Sequence, residues 1–78
     1  MSTTRELVEY IARALVTKPD AVVVREVEGA DATILELSVA PEDMGRVIGK
    51  QGRVANAMRT LLRVAAVRDG RQITLEIV

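Results

Sequence analysis

Asp43-Met-Gly-Arg-Val-Ile-Gly49-Lys50-Gln51-Gly52-Arg53-Val54 places two glycines three residues apart inside sequence that otherwise favours helix. Glycine is a poor helix former, so Gly49 and Gly52 predict a tight bend between two helices. Lys50 puts a positive charge at this bend, and the helix that follows offers N–H groups and the positive end of its dipole. Such a loop is suited to holding a phosphodiester chain.

The sequence on either side of the bend predicts the remaining elements. In order, these are a helix that ends before Pro19, a strand over Ala21–Glu28, a strand around residues 33–39, a short helix from Pro41 to about Ile48, a helix from Arg53 to about Val67, and a last strand around residues 73–77. Alternation of apolar residues identifies the strands, and spacing of three and four identifies the helices. This order predicts an α+β sandwich with one open sheet face.

The length and composition of the chain limit what it can do. Its 78 residues predict one domain over 1–78, and 49 % hydrophobic residues are enough for a packed core. The sequence contains no cysteine and no histidine, which removes thiolate metal sites and the commonest general base. No run reaches transmembrane length, and the N-terminus lacks a basic segment followed by an apolar one. We therefore expect a cytoplasmic protein without a cofactor, a metal or a membrane contact.

Catalysis is not expected from this sequence. Ser2 and Ser38 have no histidine to activate them. The glycine loop also lacks the four-residue spacer and the Ser or Thr after lysine that a nucleotide-hydrolase P-loop requires. Neither an enzymatic activity nor a small-molecule substrate is therefore predicted.

The charge is distributed unevenly, although the net charge is zero. Residues 45–71 hold seven basic residues and one acidic residue, a net charge of +6, whereas residues 1–44 hold four basic and nine acidic residues, a net charge of −5. Such asymmetry predicts a polyanion site confined to the second half. The alternative is that these arginines form a solvated helix face, but their clustering around the glycine loop favours a site.

The run Val47-Ile-Gly-Lys-Gln-Gly-Arg-Val54 resembles the signature of the KH domain, whose G-x-x-G loop clamps the backbone of single-stranded RNA. Val54 and Ala55 stand where the family carries an isoleucine. The resemblance covers nearly the whole chain and is closest to small bacterial single-KH proteins. It implies a type II KH fold, α-β-β-α-α-β, with a mixed three-stranded sheet covered on one face by three helices.

The resemblance also implies binding of single-stranded RNA through the loop and an adjacent aliphatic groove, in the role of a post-transcriptional regulator or RNA chaperone. Tyr10 is the only aromatic residue, so base stacking on aromatic rings is not expected, and Tyr10 is predicted to pack in the core or at its wet edge. For the aliphatic candidates a core role is favoured over RNA contact, and Ile48 in particular is expected to be a core anchor that fixes the two helices around the bend. The candidate RNA-binding residues are Arg46, Val47, Ile48, Gly49, Lys50, Gln51, Gly52, Arg53, Val54 and Asn56.

The helix after the loop also predicts a partner surface. Its apolar arc is wider than a surface helix needs, and Leu62, Ala66 and Val67 are expected at the exposed edges of that arc. We therefore expect a homodimer, or a heterodimer with a larger KH-containing protein, as the resemblance implies. An alternative function is that of an interaction subunit with weak RNA contact of its own. The RNAs bound, and the process served, are left open by the sequence.

Overall fold

The computed structural model describes residues 3–78, apart from the side chain of Asp69, and has the predicted order of elements. The helices and strands are α1 (Thr3–Leu15), β1 (Val23–Glu28), β2 (Ala32–Ser38), α2 (Met44–Ile48), α3 (Arg53–Asp69) and β3 (Gln72–Ile77). Short 3₁₀ turns precede β1, α2 and α3, at Pro19–Ala21, Pro41–Asp43 and Lys50–Gly52.

Several boundaries differ from those predicted, and α2 begins at Met44 rather than at Pro41 because Pro41–Asp43 forms a 3₁₀ turn. β1 begins at Val23 and not at Ala21, because Pro19 opens a 3₁₀ turn in which the N–H of Val22 donates to its carbonyl at 3.1 Å. α3 continues to Asp69, through the predicted turn, and ends where Gly70 adopts a φ of 68°. The N–H of Arg71 then donates to the carbonyl of Ala66 at 3.0 Å, which is a Schellman-type helix end.

The sheet is mixed, as the KH resemblance implies, and its strand order is β1-β2-β3. β1 pairs with β2 in the antiparallel sense, with Val24 opposite Leu37, and β2 pairs with β3 in the parallel sense, with Leu35 opposite Leu75. β3 is therefore an edge strand. The crossover that makes β2 and β3 parallel consists of α2, the glycine loop and α3, so the loop lies between two helices that pack on the sheet.

All three α-helices pack on one face of the sheet. Val8 and Ala12 of α1, Val47 of α2, and Met58 and Leu62 of α3 meet the sheet residues in one core cluster. Two expectations are wrong here. Ile48 is 37 % exposed, whereas its neighbour Val47 is completely buried and anchors α2. Leu62, expected at an exposed edge, is only 1 % exposed.

Within residues 3–78, no helix is long and apolar enough to cross a membrane.

Candidate nucleic-acid interface

The glycine loop adopts a backbone that favours glycine at both of its glycine positions. Gly49 has a φ of 79°, and a Cβ atom there would lie 2.5 Å from Cγ2 of Val54 and 2.8 Å from its backbone nitrogen. Gly52 has a φ of 75° and precedes the first residue of α3. Val54, one of the predicted contact residues, therefore packs against the backbone of Gly49 and holds the bend closed.

Between the two glycines, Lys50 and Gln51 are exposed. Gln51 has a φ of 58°, which is a left-handed conformation that a residue with a side chain rarely adopts. Arg53 follows the loop, and its Nη2 donates to Oε1 of Gln51 at 3.4 Å. No side chain among the described residues caps the N-terminus of α3, so the positive end of its dipole, next to Lys50 and Arg53 in the chain, is not neutralised by a cap.

Asp43 fixes the position of α2, a role that its sequence context does not reveal. Its carboxylate is completely buried. It accepts hydrogen bonds from the N–H of Thr17 at 3.0 Å, the hydroxyl of Thr17 at 2.9 Å and the N–H of Lys18 at 3.1 Å. These bonds join the segment after α1 to the start of α2. In the sequence, Asp43 is recognisable only as an acidic residue in the first turn of a helix, and exposed acidic residues commonly occupy that position too.

The hydrogen bonds also set the ionisation of Asp43. The N–H of Thr17 is the largest cause that lowers the pKa of this carboxyl, and it outweighs the burial that would raise it. Arg46 lies beside the same group, with its Nε 3.3 Å from Oδ1 of Asp43, and lowers the pKa further. Arg46 is thus a predicted RNA contact that is held on α2 by a buried carboxylate.

A polar stripe leads from the loop along α3. Gly52, Asn56, Arg59 and Arg63 follow one another at spacings of three and four, so they share one face of the helix. A Cβ atom on Gly52 would lie 3.8 Å from Nδ2 of Asn56, and Nη1 of Arg59 donates to Oδ1 of Asn56 at 3.3 Å. The stripe therefore connects Asn56, a predicted contact residue, with arginines two and three turns from the loop.

The stripe borders a groove between α3 and the edge strand β3. From α3 the groove is lined by Arg59, Arg63, Ala66 and Val67, from β3 by Gln72, Ile73, Thr74 and Leu75, and at its far end by Asp31, Gly70 and Arg71. The sequence predicts an aliphatic groove beside the loop, but not that β3 forms one of its walls. Alternation identifies a strand, but it does not reveal which strand lies at the edge of the sheet.

The structure divides the ten predicted contact residues into two groups. Val47 is completely buried, so it packs in the core and is not available to a ligand. The others lie at or beside the loop, with Ile48 partly exposed and Gly49, Gly52 and Val54 half-buried. Tyr10 is 75 % exposed on α1, so the packing role predicted for it is wrong.

The outer face of α3 also differs from the expectation. Leu62 and Ala66 are buried, whereas Leu61 is 49 % exposed, Val64 58 % and Val67 78 %. The exposed apolar surface of α3 therefore consists of Leu61, Val64 and Val67, of which only Val67 was predicted.

No group of three or more acidic side chains within the described part of the chain is placed to hold a metal ion.

The fold and the glycine loop together define a type II KH domain. The chain belongs to the family described as KhpA/KhpB, KH domain, which matches residues 5–77. It is 56 % identical over 73 residues to the RNA-binding protein KhpA of Caldanaerobacter subterraneus, a match that covers 94 % of this chain and 97 % of that one. It is 54 % identical to KhpA of Clostridium perfringens over 95 % of this chain and 99 % of that one. These relatives are named as RNA-binding proteins and not as enzymes.

Solved structures show the same fold at lower identity. A crystal structure of Aquifex aeolicus Era bound to GDP.AlF4⁻ matches with a TM-score of 0.62 and 21 % identity, over 95 % of this chain and 29 % of that one. A structure of Era with MgGDPNP and nucleotides 1506–1542 of 16S ribosomal RNA matches with the same TM-score and identity, over 95 % of this chain and 28 % of that one. At this identity the likeness concerns the fold alone.

Proposed function

We propose that this protein binds single-stranded RNA, with the phosphate backbone on the glycine loop and the bases along the groove between α3 and β3. The loop carries this proposal. Gly49 and Gly52 give the loop its tight, positive-φ backbone, and Lys50 stands exposed beside the N-terminus of a 17-residue helix that no described side chain caps. Backbone N–H groups, a helix dipole and a cation are the groups that bind phosphate. The names of the relatives support the same function.

The route of the RNA follows from the positions of the cations. From Lys50 and Arg53 at the loop, the stripe of Asn56, Arg59 and Arg63 leads into the groove. The groove surface is aliphatic and polar, and Tyr10 lies on α1, outside the groove-lining set. Without aromatic stacking, worth about 1–3 kcal/mol per base, the affinity for a short segment is modest. A post-transcriptional regulator or RNA chaperone acting in the cytoplasm is the role that such loose binding fits.

A charge reversal in the loop tests this function. The double variant Lys50→Asp, Gln51→Asp places two carboxylates where phosphate is expected, on side chains that are exposed in the structure. The matched control is Arg13→Asp, Ala14→Asp on the exposed surface of α1, because it changes the net charge by the same −3. In a gel-shift assay with single-stranded RNA, the loop variant should lose binding and the control should retain it. Equal affinity of both variants would contradict the proposal.

A second function, association with another KH chain, is favoured by the exposed apolar face of α3. Leu61 and Val64 lie one turn apart and are about half exposed. Apolar side chains grouped in this way often mark association sites, and a two-fold dimer is the commonest assembly of small chains. We propose that this face pairs with a second copy or with a larger KH-containing protein. The family description, which joins KhpA with KhpB, supports the second possibility.

A further inference from the structure

Arg59 covers the free edge of β3 at one point. Its Nε and Nη2 both lie 3.4 Å from the carbonyl oxygen of Leu75, and its Nη1 donates to Oδ1 of Asn56 at 3.3 Å. A guanidinium carries five N–H donors, so two of them remain for a ligand in the groove. Because the bonds are long and Arg59 is exposed, the side chain is held in place without being locked.

The backbone of Leu75 would otherwise offer one donor and one acceptor to a base. The N–H groups of Gln72 and Val78 donate to carbonyls of Asp31 and Leu37, so the even-numbered residues of β3 face β2. N–H and C=O of one residue in a parallel strand point to the same side, so those of Leu75 point into the groove. An open N–H and C=O pair is complementary to adenine, whose N6 amine donates and whose neighbouring ring nitrogen accepts.

With Arg59 over its carbonyl, Leu75 offers only its N–H to a base, beside the two remaining N–H groups of Arg59, so this point of the groove presents donors. Guanine presents two neighbouring acceptors, O6 and N7, which match a guanidinium fork. Cytosine also presents two, O2 and N3. Adenine has no such pair, and its amine would face a covered carbonyl, which leaves a polar group without a partner.

We infer that Arg59 determines base preference in the groove, so that guanine and cytosine are accepted and adenine is disfavoured. This inference rests on the proposed RNA-binding function and goes beyond it, because a cation that only contacted phosphate would not distinguish bases. Arg59 is then a base-contacting residue, whereas Lys50 is expected to contact the phosphate backbone of the RNA.

Heptamers with one variable base test the inference. U3-G-U3, U3-C-U3 and U3-A-U3 are compared with U7 by fluorescence anisotropy, so that the RNA can slide until its best base occupies the groove. The parent should bind the guanine and cytosine heptamers about ten-fold more tightly than U7, and the adenine heptamer no better than U7. Arg59→Ala should remove the gain for guanine and bind the adenine heptamer more tightly than U7, because the Leu75 carbonyl becomes free.

The variant Arg59→Lys separates the effect of the planar guanidinium fork from the effect of the positive charge. Lysine keeps the positive charge but lacks the planar fork. The preference for guanine over adenine should therefore disappear while the affinity for U7 stays within about two-fold. Arg13→Ala, on α1, is the control and should keep the parent's ranking. A thermal melt of each variant confirms that the fold is retained.

Several results would overturn the inference. If Arg59→Lys keeps the ranking, or if Arg59→Ala weakens all four heptamers equally, Arg59 contacts phosphate only. The proposed function would survive in that case, provided that the loop variant Lys50→Asp, Gln51→Asp still abolishes binding. A parent that binds none of the heptamers would remove both the inference and the function on which it rests.

Discussion

The two glycines of the loop serve the bend in different ways. Gly49 has a φ of 79°, and a Cβ atom there would lie only 2.5 Å from Cγ2 of Val54. A side chain at this position is therefore disfavoured both by the backbone conformation and by a steric clash. Gly52 has a φ of 75°, but a Cβ atom there would meet nothing closer than 3.8 Å. Gly49 is therefore the residue on which the closure of the loop depends, and Gly52 serves mainly through its backbone conformation.

Replacing Gly49 by alanine should be far more costly than replacing Gly45. We expect Gly49→Ala to lower the free energy of unfolding by about 2–3 kcal/mol, because the methyl group clashes with Val54 in a disfavoured conformation. Gly45 lies within α2 and has nothing within 4 Å of its Cβ position, so Gly45→Ala should be neutral or stabilising by up to about 1 kcal/mol. Urea unfolding measures both. Equal losses would mean that the contact with Val54 is unimportant.

Asp43 should make the stability of the protein depend on pH in acid. The N–H of Thr17, with the Thr17 hydroxyl, the Lys18 N–H and Arg46, lowers the pKa of Asp43 in the folded state below its ordinary value. The contribution to stability is therefore complete above the ordinary aspartate pKa of about 4, and is lost as the pH falls through the lower folded value. Asp43→Asn should have a lower Tm than the parent at pH 7 and a flatter Tm profile below pH 4.

Glu42→Gln is the matched control for Asp43→Asn. The pKa of Glu42 is also lowered, chiefly by its hydrogen bond with Lys18, but this pair is exposed and contributes little. The dependence of Tm on pH for Glu42→Gln should therefore follow that of the parent closely. Parallel profiles for Asp43→Asn and the parent would show that the buried bonds to Thr17 and Lys18 do not hold α2.

Single residues differ in how far the sequence reveals them. Glycines at a helix bend carry a conformational signal, so Gly49 and Gly52 were predicted correctly as the turn. Val47 and Ile48 are both aliphatic and adjacent, so hydrophobicity does not distinguish them. Only the rotational orientation of the five-residue helix α2 determines that Val47 enters the core. The buried partners of Asp43 are 25 and 26 residues away in the chain, a separation that no local pattern encodes.

At the scale of elements, α3 shows where periodicity is informative and where it fails. Spacing of three and four correctly predicted the helix and its polar stripe. The apolar arc, however, spans so many positions that Leu61 and Leu62, about 100° apart on the helix, could not be assigned to surface or core. Packing against the sheet and α1 determines which leucine is buried, because these elements cover Leu62 and leave Leu61 half exposed.

Charged substitutions at these two leucines should therefore have opposite outcomes. Leu61→Glu should leave the free energy of unfolding of the subunit within about 0.5 kcal/mol of the parent, since the position is half exposed. It should also separate associated subunits. Leu62→Glu buries a charge without a partner and should lower stability by more than about 4 kcal/mol or prevent folding.

Sedimentation velocity at several concentrations measures the association, and thermal unfolding separates it from loss of fold. Val23→Glu on β1 is the control, because it introduces the same charge at an apolar residue that is 51 % exposed but lies away from α3. If the parent sediments as a monomer at high micromolar concentration, self-association through Leu61 and Val64 is excluded.

At the scale of the whole molecule, the arrangement of the sheet determines which surface the basic segment lies beside. The fold places the basic segment 45–71 along α2, the loop and α3, and the parallel pairing of β3 brings that segment beside an open strand edge. Element order and a KH resemblance were sufficient to predict this fold. The groove between α3 and β3 was only partly foreseen, because its walls come from segments whose contact depends on the sheet order.

A chain with no net charge should bind RNA with a clear salt dependence if the basic segment is the site. Each phosphate neutralised on a single strand adds about 0.7 to the slope of log affinity against log salt, so three contacts predict a slope of about 2. Arg53→Ala should lower the slope most, since Arg53 lies next to the loop and contacts Gln51. Arg13→Ala, on α1, should leave it unchanged.

The same titration distinguishes a binding site from a solvated face. Arg59→Ala and Arg63→Ala should each lower the slope by less than Arg53→Ala, because they lie farther along the stripe and face the groove. If all three variants keep the parent's slope, the arginines of α3 do not neutralise phosphate. RNA contact would then be confined to Lys50 and the backbone of the loop, because the slope falls only when a lost side chain had neutralised a phosphate and released its condensed counterion.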